Sequence, residues 1–167
     1  MKKDLGKGVA FALIYVSLIL LLTRWNFKII EALAIINLVI MSFTLLARRN
    51  IRFKAYFTSN YNFFTSKVRH KKEFDLPKYI LFDKMAEVLT EAGFNVRYAD
   101  KSTGTLFATS RMTLYSWGEN IYIDLTEVDG LTKLDFCSAC IFGFVSYGKN
   151  EKNYDRLMNT FEESLTI

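Results

Sequence analysis

Two apolar runs dominate the first 47 residues. Positions 9–23 (VAFALIYVSLILLLT) hold no charged residue, and positions 29–47 (IIEALAIINLVIMSFTLLA) hold one, Glu31. A helix needs about 20 apolar residues to cross ~30 Å of hydrocarbon. The second run meets that length alone. The first meets it over 5–25 if Lys7 snorkels toward the headgroups. Both are apolar all round, with no polar face to turn to water, unlike a pair of surface helices in a soluble domain. Residues 24–28 are so few that the two helices must run antiparallel, and Trp25 and Phe27 there suit an interface. The pattern predicts a transmembrane hairpin over 1–47, with spans at about 6–25 and 29–47. A cleaved leader with Lys2 and Lys3 at its start is rejected, because Thr23, Arg24, Trp25 and Asn26 make a poor cleavage site. Glu31 lies near the outer end of the second span. Asn37 lies closer to its middle and is a candidate helix–helix contact, within the hairpin or between copies.

Residues 48–72 (RRNIRFKAYFTSNYNFFTSKVRHKK) change character. Phe53, Tyr56, Phe57, Tyr61, Phe64 and Val68 recur at steps of three and four, the spacing of one helix face. Three readings fit: a helix lying in the membrane interface, a cytoplasmic continuation of the second span, or a strand of the next domain already starting at Lys67. Thr58, Ser59 and Asn60 weaken a continuous helix.

From 73 to 167 the pattern is that of an α+β domain. Ile80, Leu81, Met85, Val88, Leu89 and Ala92 form a helical stripe after Pro77, and Gly93 ends it. Residues 94–98 and 105–113 read as strands, with turns at 100–104 and 116–120. Ile121, Ile123 and Leu125 alternate with Tyr122, Asp124 and Thr126. Asp129 followed by Gly130 is a hairpin turn, and 131–142 a long strand. Asn150 is expected to cap a last helix with the stripe Tyr154, Leu157, Met158, Phe161 and Leu165. Both helices have one apolar face, so both can pack on one side of an antiparallel sheet of four to five strands. In element order this resembles the small helix-on-curved-sheet folds, including helix-grip, lipid-transfer-like domains; no motif carries the likeness further.

Charge sharpens the division. The chain of 167 residues has 22 Lys/Arg and 17 Asp/Glu, a net charge of +5. Residues 1–47 carry +3, residues 48–72 carry +8 with no acid, and residues 73–167 carry −6. A basic stretch beside apolar spans, followed by an acidic domain, points to an anionic inner leaflet and away from nucleic acid. The membrane-surface candidates are Arg48, Arg49, Arg52, Lys54, Lys67, Arg69, Lys71 and Lys72. The Lys/Arg excess on both flanks of the hairpin puts both termini in the cytoplasm of an inner-membrane protein. Cys137 and Cys140, expected to be unpaired, fit a reducing compartment.

Candidate chemistry is sparse. Cys137 and Cys140 have the spacing of a redox pair but lie in a strand, where positions three apart face opposite ways. His70, the single histidine, has basic neighbours and reads as a surface residue. Asp83, Glu87 and Glu91 read as a solvated helix face. Gly148 and Lys149 lack the spacing of a phosphate loop. No catalytic set, cofactor site or metal site is predicted. Tyr98, Tyr115, Trp117 and Tyr122 form a possible ligand or partner surface. Three functions compete: a membrane-anchored, non-enzymatic adaptor or sensor binding a small ligand or protein; a membrane effector or immunity-type protein that self-associates through its spans; and an enzyme on a membrane-bound substrate. A deep pocket between sheet and helices would favour a small ligand, and a filled core would favour a protein partner.

Overall fold

A computed structural model of the protein describes residues 13, 15–20, 27–48, 50–62, 65–113, 116–141, 143 and 145–165. The flank with Lys2, Lys3 and Lys7, most of the first apolar run, Arg24, Trp25, Arg49, Phe64 and Tyr115 lie outside these residues. Helix α1 (Phe27–Ala47) is long and apolar enough to cross a membrane. Residues 15–20 are helical too, and the Asn37 amide donates to the Tyr15 hydroxyl at 3.0 Å and to its own helix at the Leu33 carbonyl at 2.8 Å. A 3-10 turn (Ile51–Phe53) and helix α2 (Lys54–Thr58) follow, the turn being capped where the Asn50 side chain accepts from the Arg52 N–H.

The sheet consists of β1 (Lys67–Phe74), β2 (Asn95–Asp100), β3 (Thr105–Thr109), β4 (Glu119–Val128) and β5 (Leu131–Cys140). Its order is β1-β5-β4-β3-β2, antiparallel throughout. Helix α3 (Lys78–Glu91) connects β1 to β2, and α4 (Lys149–Glu163) follows β5. At the β4–β5 hairpin Val128 faces Leu131, and Asp129 and Gly130 have φ of +54° and +80°. Those left-handed values are what a tight two-residue hairpin turn demands, and Asp and Gly tolerate them.

Each face of the sheet has its own covering. On one face Leu106, Ala108, Ile121, Ile123, Leu125, Leu134 and Phe136 meet Leu81, Met85, Val88 and Leu89 of α3 and Leu157, Met158 and Phe161 of α4. These side chains pack against one another and are buried. On the other face Phe107, Tyr122, Cys137 and Ala139 meet Ala47 and Phe57, with Ile51 and Phe53 beside them. The connector is therefore a third layer. It turns Phe57, with Phe53 beside it, onto the sheet, because the period-2 alternation of β3, β4 and β5 leaves a second apolar row that must be buried.

Several expectations are corrected. The six-position aromatic stripe is no continuous helix: α2 ends at Thr58, Ser59 is extended, and Tyr61 is 88% exposed while Phe57 is fully buried. The strand alternative at Lys67 is the observed one, so the sheet begins six residues ahead of the expected domain start at 73. Its alternation is carried by charged residues on an edge strand, a common device against edge pairing. Asn150 does not cap α4. Gly148 occupies that position at φ +74°, and Asn150 is buried inside the first turn. His70 is half-buried, its ring 3.9 Å from that of Tyr154 and its Nε2 2.8 Å from Glu151.

Candidate functional site: a basic cleft at the end of the apolar helix

Arg48 follows the last residue of α1 and reaches the far end of the sheet. Its guanidinium donates to the Ser110 carbonyl at 2.6 Å and to the Trp117 carbonyl at 2.9 Å. The chain leaves β3 at Thr109 and returns to β4 at Glu119, and these two carbonyls lie at the two ends of that excursion. Gly118, at φ +91°, permits the approach: a Cβ there would lie 2.6 Å from an Arg48 terminal nitrogen. The left-handed backbone favours glycine, and a Cβ would push the Arg48 guanidinium from its place.

Arg48 forms part of a cleft of about 460 Å³ that also includes Thr90, Phe94, Arg97, Thr109, Ser110, Arg111 and Met112. Arg97 reaches it through an irregularity in β2. The register runs from Val96 opposite Ala108 to Tyr98 opposite Phe107, leaving Arg97 as the extra residue of a bulge. A bulge bends its strand and re-aims the side chain it carries. Three arginines and no acid line the cleft, although the domain as a whole is acidic. A second, apolar groove of about 320 Å³ is lined by Leu45, Leu46, Arg48 and Met112, sharing its last two residues with the cleft.

Beneath Ser110 lies a buried polar network. Glu119 is fully buried, and its carboxylate accepts from the hydroxyls of Ser110 and Ser116 and from the Asn153 amide at 3.3 Å. Asn153 also donates to the Ser138 hydroxyl at 3.2 Å, Ser138 donates to Asn150 at 2.8 Å, and Asn150 donates to the Ser66 carbonyl at 3.1 Å. A buried carboxylate is tolerated only when its lone pairs are taken in this way. Arg156, 4.1 Å from the ring centroid of Phe94, has its guanidinium held below the usual range by burial, against the pull of the Glu119 charge. The network ties β3, β4, β5 and α4 together directly under the loop that Arg48 grips.

The basic cluster of the connector divides. Arg48 enters the cleft. Lys54 pairs with Asp124 at 2.5 Å, Arg69 with Asp135 at 3.3 Å and Lys72 with Glu162 at 3.3 Å. Lys67 donates to the carbonyls of Ser59 and Asn62, and burial pulls its amine below the usual value. Arg52 and Lys71 are exposed. Of the eight candidate membrane-surface residues, Lys54, Lys67, Arg69 and Lys72 thus have charges that the domain's own acids and carbonyls engage. The aromatic group divides as well. Tyr122 is buried, stacked on Phe107 at 5.0 Å, with the Asn120 amide on its hydroxyl at 2.9 Å. Burial pushes its phenol up. It is core, not surface. Tyr98 and Trp117 are partly exposed, and Trp117 contributes its carbonyl to Arg48. Cys137 and Cys140 are free and buried on opposite faces: Cys137 under the connector, Cys140 with its sulfur 3.7 Å from the Asn150 amide.

Sequence reasoning missed Arg97, Arg111, Glu119 and Asn153. Only Arg97 carries a faint signal, a charge in a short strand; the burial of Glu119 has none, since residues 116–120 have the composition of a turn.

No family model matches the chain, and no curated protein matches it in sequence. Among solved structures it is similar to Ara h 8.0201, with 10% identity and a TM-score of 0.48 over 62% of this chain and 99% of that one. It is also similar to the Zhui aromatase/cyclase of a Streptomyces species, with 11% identity and a TM-score of 0.40 over 61% of this chain and 87% of that one.

Proposed function

We propose that the chain is a membrane-anchored, non-enzymatic adaptor or sensor whose α+β domain binds an anionic ligand close to the inner leaflet. The two apolar runs form a hairpin in the bilayer, and both termini lie in the cytoplasm. The observation that carries this reading is the junction. Ala47, the last residue of α1, is buried under the sheet, and Arg48 beside it holds two carbonyls of the domain. A domain that needed only tethering would hang on a flexible polar linker. Here the end of the apolar helix is built into the sheet's second covering layer and into the wall of the cleft, so a change at the cleft bears directly on the helix. The Asn37 contact with Tyr15 supports pairing of the two runs within one chain, against the effector reading in which Asn37 pairs between copies.

Alkaline carbonate should leave the full chain in the membrane pellet. Alkaline phosphatase fused after Ile167 should be inactive, and a fluorescent protein fused there should be bright. Release by carbonate would overturn the anchoring, and an active phosphatase would overturn the orientation.

A further inference from the structure

We infer that the cleft between Arg48, Arg97 and Arg111 takes the phosphate of an anionic phospholipid, with an acyl chain along Leu45, Leu46 and Met112. The inference rests on the anchoring proposed above and adds the chemistry of the ligand.

The charge of the cleft is local. Its lining holds three guanidiniums and no carboxylate, within a domain whose net charge is −6 from residue 73 onward. The opposing terms are the buried Glu119 carboxylate, which accepts from the Ser110 hydroxyl behind the cleft wall, and the C-terminal end of α3, which adds Thr90 and a partial negative charge of about half a unit. Three of the helix's last four carbonyls are already occupied, by Ala92 N–H on Val88 at 2.8 Å, Phe94 N–H on Leu89 at 2.9 Å and Gly93 N–H on Thr90 at 2.9 Å. Three full positive charges outweigh what remains. The three arginines are also differently prepared. Arg48 is fixed by its two carbonyl acceptors, so its charge is positioned before any ligand arrives. Arg97 and Arg111 are exposed, and among the described residues neither forms an ion pair, which leaves their forked donors for phosphate oxygens.

The shape argues for lipid over free phosphate. A free anion would use only the basic cleft. The apolar groove of about 320 Å³ shares Arg48 and Met112 with that cleft and runs back to Leu45 and Leu46 on the last turns of the apolar helix. Leu46 is 78% exposed there. An anionic head joined to an apolar tail matches both parts, at the depth where a spanning helix would leave the bilayer.

The full chain in detergent micelles is titrated with dioleoyl phosphatidic acid, with dioleoyl phosphatidylcholine and with inorganic phosphate, and one-to-one adducts are read by native mass spectrometry. Phosphatidic acid should bind in preference to phosphatidylcholine. The Arg97→Gln/Arg111→Gln double variant should lose about thirtyfold in affinity, roughly fivefold per charge. The Lys133→Gln/Lys152→Gln double variant, equal in charge but outside the cleft, should bind as the unmodified chain does. Equal binding of the two lipids, or equal loss in the two double variants, would overturn the site. Inorganic phosphate that saturates the cleft and excludes the lipid would overturn the lipid and leave a free anion. Carbonate release of the chain would remove the anchoring reading alone, so the two failures are distinguishable.

Discussion

Replacing Phe57 with alanine tests where the connector lies. Phe57 is fully buried in the cluster of Ala47, Phe107, Tyr122, Cys137 and Ala139, separate from the helix-side core. Truncating a buried phenylalanine costs about 3–5 kcal/mol. Because the two clusters lie on opposite faces, that loss should fall on docking of the connector and not on the packing of α3 and α4. A loss of 3 kcal/mol raises the population of the undocked connector by about a hundredfold, and a larger loss by more. Cys137 reports it. The thiol is covered by the connector, and burial pushes its pKa up, so alkylation proceeds through the undocked state. Cys140 is the internal control, on the helix side against Asn150 and pushed up to about 12 by burial and the Glu119 charge. Alkylation of the full chain, with each cysteine followed by peptide mass spectrometry, should show Cys137 about a hundredfold faster or more in Phe57→Ala, and Cys140 unchanged. An unchanged Cys137 rate would mean that Phe57 lies elsewhere, as in the interfacial helix that the aromatic spacing suggests. Equal acceleration of both thiols would refute the independence of the two layers.

Gly118→Ala should destabilise the domain more than Gly130→Ala, by about 1 kcal/mol. Both residues have positive φ, but only a Cβ at Gly118 meets Arg48, so the difference in unfolding midpoint reads the Arg48 grip. In an Arg48→Ala background the difference should vanish. Asn153→Ala removes donors from the Glu119 carboxylate and the Ser138 hydroxyl, and should cost about 1–3 kcal/mol in chemical denaturation. A cost near zero would mean that the Glu119 carboxylate does not depend on Asn153.

Much of the architecture is legible in the residues themselves. The apolar run of α1, most of the stripes of α3 and α4, the alternation of β4 and the Asp129, Gly130 turn depend on each element's own period and on local backbone sterics, and are observed; Ile80 and Leu165 are exposed members of their stripes, and Phe82 is buried in place of Ile80. Periodicity also places Cys137 and Cys140 on opposite faces. What it does not contain is the identity of the covering. The aromatic spacing of the connector specifies an apolar side, and lipid or a sheet would satisfy it equally; only the tertiary structure turns Phe57 onto Phe107 and Tyr122. The run of basic residues is likewise ambiguous, because a charge shows its sign in the sequence and not its partner. Lys54 meets Asp124 at a separation of 70 residues, and Arg48 meets Ser110 at 62. Arg97 enters the cleft through a bulge, which is a property of paired strands and not of one. Glu119 and Asn150 become interior residues because β5 and α4 close over them, and that closure supplies the donors that make a buried carboxylate tolerable. Local periods determined the elements; long-range contacts, invisible to any short window, decided which faces are covered and where the three arginines converge.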